Sequence, residues 1–164
     1  MELLKNALEG GHRVLVFSQF TSMLEILVQR MQQENISCCV LNGSTSKEDR
    51  AKLVERFQKE EVPVFCISLK AGGTGLNLTA ADMVIHFDPW WNAAVENQAT
   101  DRAHRIGHKQ VVTVYRLIAK NTIEEKILKL QEAKKELAQQ VLSGDELKSA
   151  SFTREELLGL LEYV

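Results

Sequence analysis

Residues 64–78 read Val64-Phe65-Cys66-Ile67-Ser68-Leu69-Lys70-Ala71-Gly72-Gly73-Thr74-Gly75-Leu76-Asn77-Leu78. An uninterrupted apolar run closed by clustered glycines is the pattern of a parallel strand buried on both sides, because helices cover both faces of such a sheet. Four further runs have a similar character: Arg13–Phe17 and Ser37–Leu41 upstream, Met83–Phe87 and Val111–Ile118 downstream. They alternate with longer helical patterns, which points to an α/β fold. Right-handed crossovers leave few other ways to connect them, so the expected architecture is an open parallel sheet of about five strands with helices on both faces.

The helices carry their own start signals. Ser46 with Asp49, Thr122 with Glu125 and Thr153 with Glu156 match the capping box, in which a hydroxyl and a carboxylate satisfy orphan amide donors. Ile123, Ile127, Leu130, Leu137 and Val141 form one apolar stripe on an otherwise charged helix, which is expected to dock on an apolar surface. Gly144 is the expected stop of that helix, and Thr153–Val164 reads as a short amphipathic helix. The expected division is a main unit over 1–144, ending in this long helix as a C-terminal helical extension, and a short helical tail over 145–164.

With 164 residues, 45% of them hydrophobic, the chain can bury one proper core. Charged residues make up 26% and the net charge is only −2, so a nucleic-acid reading has to rest on individual sites rather than bulk charge. Cys38, Cys39 and Cys66 are odd in number, lack CxxC spacing and lie in strand-like runs, as expected of a reduced, intracellular protein. Neither a signal-peptide core nor an apolar run of about 18 residues occurs. The expected location is therefore cytoplasmic, or nuclear in a eukaryote, with no membrane partner.

Two segments carry chemistry. Glycines directly after a strand let the backbone approach a phosphate or sugar closely, and amides there can point at an anion. Taken alone, Gly72, Gly73 and Gly75 fit a tight strand-to-helix turn equally well. Neither GxGxxG nor GxxxxGK[ST] is present, so a nucleotide touching this turn needs its phosphates held mainly by something else. The second segment is Gln98-Ala99-Thr100-Asp101-Arg102-Ala103-His104-Arg105-Ile106-Gly107-His108. Helical spacing puts Gln98, Asp101, Arg102 and Arg105 on one side, with two forked guanidiniums presented together. Such forks match the oxygens of a transferring phosphoryl group, although a surface helix laced with salt bridges would share the pattern. His86 with Asp88, and His104 with His108, have spacings a metal could use, but Gly107 is expected to end the helix before His108 and the arginine run accounts for His104, so no metal is expected. Cys66 sits in a buried run without the downstream arginine that a phosphatase loop needs.

Taken together, the order of strand, Ser68–Leu78 turn, Met83–Phe87 strand, Asp88-Pro89-Trp90-Trp91-Asn92 and Gln98–His108 resembles the C-terminal RecA-like lobe of SWI/SNF-type DNA translocases, in helicase superfamily two. Val14–Phe20 and Leu41–Thr45 with Arg50 look like the earlier motifs of that lobe; Tyr115–Ile118 and Thr122–Ile127 look like its final strand and bracing helix. The likeness covers about Arg13 to Gly144. The family usually has Pro after Trp-Asn and Gln after Arg-Ile-Gly, where this chain has Ala93 and His108, which implies altered local geometry rather than lost activity.

The resemblance implies a half-motor. ATP with Mg2+ would sit between two lobes, held mainly by the N-terminal RecA-like lobe, and this chain alone would hydrolyse almost nothing. Arg102 and Arg105 would reach the triphosphate, Gln98 and Asp101 would hold the local network, and Gly75 and Asn77 would line the ribose side. Ser18, Gln19, Ser68, Lys70, Thr74 and Trp91 would face double-stranded DNA, tracking phosphates without reading sequence. Trp90 would serve packing. The alternative is a non-catalytic α/β module that binds a nucleotide or a protein.

Overall fold

The computed structural model describes residues 1–71, 76–90, 93–103 and 111–143. The elements run α1 (Glu2–Glu9), β1 (Val14–Ser18), α2 (Thr21–Gln33), β2 (Cys38–Leu41), α3 (Lys47–Gln58), β3 (Val64–Ser68), β4 (Met83–His86), α4 (Ala93–Thr100), β5 (Thr113–Arg116) and α5 (Ile123–Ser143). All five strands pair in parallel, in the order β2-β3-β1-β4-β5. This is the RecA-like α/β architecture expected from the sequence, and β3 occupies the expected residues.

Two apolar layers sandwich the sheet, and the period-two alternation of each strand divides its side chains between them. Leu15, Phe17, Cys39, Leu41, Phe65, Ile67 and Val84 face one layer, where α3 contributes Phe57 and α4 contributes Ala99. Val14, Val16, Val64, Cys66, Met83 and Ile85 face the other, against Leu4 and Ala7 of α1 and Leu24 and Met31 of α2. Because both faces are covered, polar alternation never appears in β1 or β3, whose residues are all buried.

The fifth strand departs from expectation. Val111–Ile118 shortens to Thr113–Arg116, whose residues are all exposed. Its register matches the four residues of β4 one for one, and nothing among the described residues pairs with its other edge. Edge position, rather than composition, sets both its length and its exposure.

Local capping chemistry fixes two of the expected helix starts. The Ser46 hydroxyl accepts from the Asp49 amide at 3.1 Å and donates to the Asp49 carboxylate at 2.7 Å. At α5 the partner is Glu124 rather than the expected Glu125. Thr122 Oγ1 accepts from the Glu124 amide at 3.2 Å, and the Glu124 carboxylate accepts from the Ala119 amide at 2.6 Å. The Thr153 box and the 145–164 tail lie outside the described residues. The long helix ends at Ser143, one residue before Gly144. Along the part of the helix whose side chains are described, Ile123 is exposed, Ile127 and Leu130 are half-buried, and Gln131 and Ala133 are buried; Leu137 and Val141 of the expected stripe lie outside the described side chains.

Phe65 stands at the centre of the first layer, opposite Leu15 in β1 and Cys39 in β2, with its ring 5.5 Å from that of Phe57. Truncating it leaves a cavity walled by three elements that cannot all collapse inward. Phe65→Ala is expected to cost about 3–5 kcal/mol, read as a drop in the denaturant midpoint.

His86 is buried in β4, stacked on Phe17 with ring centroids 5.6 Å apart, and its Nε2 lies 3.0 Å from Thr100 Oγ1. Burial, assisted by the charge of Arg116, pulls its pKa from 6.5 down to about 4. The unfolded chain therefore binds a proton that the folded chain refuses, and stability falls as pH drops from about 6.5 to about 4. His86→Phe should flatten that limb of the stability profile, worth up to about 3 kcal/mol, in urea titrations across the window.

Candidate functional site

The C-terminal edge of the sheet is where the chain reverses direction. It leaves β1 for α2 on one face and β4 for α4 on the other, which opens a crevice at the ends of these neighbouring strands. Ser18, Gln19, Asp88 and Pro89 fill this position. The Asp88 carboxylate accepts from the Ser18 hydroxyl and, at 2.9 Å, from the Gln19 amide, while Gln19 Nε2 donates to the Pro89 carbonyl at 3.1 Å. Burial raises the Asp88 pKa, and the hydrogen bonds from Ser18 and Gln19 counteract part of that rise.

Ser68 lies opposite Ser18 across the β1–β3 pair, and the Leu69 amide donates to the Ser18 carbonyl at 2.9 Å. The turn after β3 thus begins beside the loop after β1. Arg50 of α3 reaches this turn and donates to the Ala71 carbonyl at 3.0 Å. On the far side of the turn, the Leu78 amide donates to the Arg102 carbonyl at 3.1 Å. Gln58 grips the same segment through the Asn77 carbonyl at 2.6 Å and the Ala80 amide at 3.1 Å. The segment that follows the glycine run in sequence and the start of the arginine segment, 24 residues apart at Leu78 and Arg102, are therefore joined through the backbone.

Arg102 is the residue with the most pointed environment. It is only 9% exposed, and its Nε is buried without a hydrogen-bond partner among the described residues. Burial lowers its pKa, and the nearby like charge of Arg50 lowers it further. A guanidinium stays protonated at any ordinary pH, so this one holds a desolvated positive charge suited to an incoming anion.

The expected grouping of Gln98, Asp101, Arg102 and Arg105 on one helical face needs correction. Helix α4 ends at Thr100, and 101–103 tighten into a turn in which the Arg102 and Ala103 amides reach back only three residues. Gln98 and Asp101 are exposed, whereas Arg102 turns inward. Arg105, Gly75, Thr74, Trp91 and His108 lie outside the described residues. Among the expected DNA contacts, Gln19 is half-buried and Lys70 exposed. Ser18 and Ser68 are buried, at 0% and 2% exposure, and the Ser18 hydroxyl is engaged by Asp88 and the Phe20 backbone. The Asn77 side chain is exposed and Trp90 packs against the first core layer, as expected. His86 Nε2 lies beside Thr100 and the Asp88 carboxylate is engaged by Ser18 and Gln19, while His86 Nδ1 has no hydrogen-bond partner among the described residues.

Residue-type patterns missed three contributors. Asp88, Glu96 and Gln131 are buried polar groups whose partners lie on other elements, and a lone acid or amide on a helix otherwise reads as solvated. Period and burial would have hinted at Gln131, which lies one residue from the Leu130 stripe position.

Comparison with known proteins agrees with this geometry. The family described as helicase conserved C-terminal domain matches residues 1–107. An uncharacterized ATP-dependent helicase of Mycoplasma pneumoniae is 46% identical over 163 residues, covering 99% of this chain and 16% of that protein. The chromatin-remodeling ATPase INO80 of Aspergillus oryzae is 48% identical over 144 residues, 87% of this chain and 10% of that protein. The crystal structure of the C-terminal part of the Fun30 ATPase domain superposes with a TM-score of 0.75 at 41% identity, covering 79% of this chain and 43% of that one. The chain thus spans about a sixth or less of the curated relatives it matches. With a parallel RecA-like sheet and a family match over residues 1–107, this chain belongs to the helicase conserved C-terminal domain family, and it is similar to the C-terminal part of the Fun30 ATPase domain and to a segment of the INO80 ATPase.

Proposed function

We propose that this lobe works with an N-terminal RecA-like lobe of the same parent chain as an ATP-dependent motor on double-stranded DNA, in the manner of a chromatin remodeller. The observation that carries the reading is Arg102: a buried, charged guanidinium without a carboxylate partner among the described residues, joined through its backbone to the segment after the glycine turn. Folding a lone charge inward costs free energy, and an anion arriving from outside offsets that cost. Triphosphate with Mg2+, held by the other lobe, is the anion proposed. Arg102 and Arg105 stabilise the charge that develops on phosphoryl transfer, and Gly75 and Asn77 line the ribose side. Gln98 and Asp101, being exposed, support the segment from its outer surface.

The DNA contacts proposed are Gln19, Lys70, Thr74 and Trp91, with the buried Ser18 and Ser68 in support. An exposed lysine and backbone amides suit phosphate tracking, which positions a motor without reading bases. Cleft closure on ATP would shift these contacts relative to the partner lobe, and that displacement is the proposed translocation step. Alone, the 164-residue chain carries no GK[ST] loop and hydrolyses almost nothing. The parent works in the cytoplasm, or in the nucleus of a eukaryote.

The test is steady-state ATP hydrolysis by the full-length protein, with and without duplex DNA. Strong stimulation by DNA is expected in the wild type. Arg102→Ala and Arg105→Ala should each lower the stimulated rate by about a thousandfold, and Arg102→Lys should not restore it, because an ammonium lacks the planar fork. Hydrolysis indifferent to both DNA and the arginines would leave a binding module as the better account. A second measurement addresses the DNA contacts. Lys70→Ala should weaken duplex binding equally for all sequences and reduce the slope of log affinity against log salt by about one.

A further inference from the structure

Glu96 of α4 is fully buried, and its carboxylate collects three elements. Oε1 accepts from the Trp90 amide at 2.5 Å and from Gln131 Nε2 of α5 at 3.4 Å. Oε2 lies 3.3 Å from Arg116 Nε of β5. Gln131, itself only 6% exposed, also donates through Nε2 to the Trp90 carbonyl. The Trp90 backbone is therefore held on both sides: its amide by Glu96, its carbonyl by the long C-terminal helix. The preceding Pro89 carbonyl is held by Gln19. The Trp90 carbonyl belongs to the peptide that leads into Trp91, a residue outside the described ones, so Gln131 holds the last described carbonyl before it.

An apolar contact would tolerate sliding of α5 by a few tenths of an ångström, whereas a buried amide bridging a carbonyl and a carboxylate does not, since losing either partner strands a desolvated polar group. We propose that Gln131 and Glu96 are positioning residues that tie α5 to the Trp90–Trp91 peptide, so that any movement of this helix is transmitted to the DNA-facing edge of the lobe. The inference rests on the motor reading above. It assigns α5 a role in coupling hydrolysis to DNA, beyond bracing the fold.

Trp90 and Trp91 are the two tryptophans of the chain, so its intrinsic indole fluorescence reports on this segment alone. Gln131→Leu keeps the side chain's bulk and removes the amide; Glu96→Gln keeps size and acceptor but removes the charge facing Arg116. In the 164-residue chain, Gln131→Leu should increase acrylamide quenching of the tryptophans while the far-ultraviolet dichroism stays that of wild type. In the full-length protein, the DNA-independent hydrolysis rate should be unchanged, and the DNA-stimulated kcat should fall about tenfold with little change in the KM for ATP. The Glu96→Gln change should act in the same direction, and the double variant should fall short of the sum of the two free-energy losses, because both act on one peptide.

Unaltered quenching in Gln131→Leu would overturn the clamp. Altered quenching with undiminished DNA stimulation would overturn the coupling. Equal loss of the DNA-independent and DNA-stimulated rates would reduce both residues to structural supports and also overturn it. A wild-type enzyme that duplex DNA does not stimulate would instead sink the motor reading, whatever the tryptophans report, and the coupling with it.

Discussion

The carboxylate of Asp88 sits where the two central strands end, and the functional edge of the lobe depends on how it is satisfied. Buried acids are costly unless several donors meet them. Here the donors are the Ser18 hydroxyl and the Gln19 amide, both from the loop after β1. Satisfying one group at the end of β4 therefore locks a loop at the end of β1, and Gln19 returns the constraint by holding Pro89. With the Leu69 amide on the Ser18 carbonyl, the loops after three adjacent strands become one connected surface. A single carboxylate thus converts three strand ends into a platform.

Around this platform the lobe uses buried polar groups in two different ways. Asp88 and Glu96 are acids met by several donors, and they behave as joints between elements. Arg102 differs in kind: its Nε, like Oε2 of Glu96, lacks a hydrogen-bond partner among the described residues, but Glu96 has the charge of Arg116 beside it whereas Arg102 has no ion pair among them. Fully satisfied groups rigidify a fold, whereas an unsatisfied one stores free energy that a ligand can release.

The long helix α5 illustrates why such a lobe can be more than a passive half. Among its described residues the apolar positions Ile123, Ile127 and Leu130 are half-buried or exposed and only the small Ala133 is buried, while an amide, Gln131, reaches the backbone of another segment. Packed side chains and hydrogen-bond networks both carry displacement, and a buried directional bond adds the penalty of stranding a polar group if its geometry is lost. Arg116 on the exposed edge strand joins the same carboxylate, so β5 is tied into the assembly despite contributing little to the core.

The amino-acid sequence by itself determined the strand positions β1 to β4, the alternation with helices, the Ser46 cap and the kinship of the glycine and arginine segments. These are legible because hydrophobic runs, capping hydroxyls and glycine clusters act over a few neighbouring residues. Tertiary structure alone decided that Ser18 and Ser68 face inward, that α4 stops at Thr100 and so parts Arg102 from Gln98 and Asp101, and that β5 is an exposed edge. It also decided that Glu124 rather than Glu125 closes the α5 cap. Burial of Asp88, Glu96 and Gln131 was invisible in the chain for a common physical reason. Whether a polar side chain is solvated or entombed depends on which donors other elements deliver to it, and sheet order and register, not local pattern, determine that delivery.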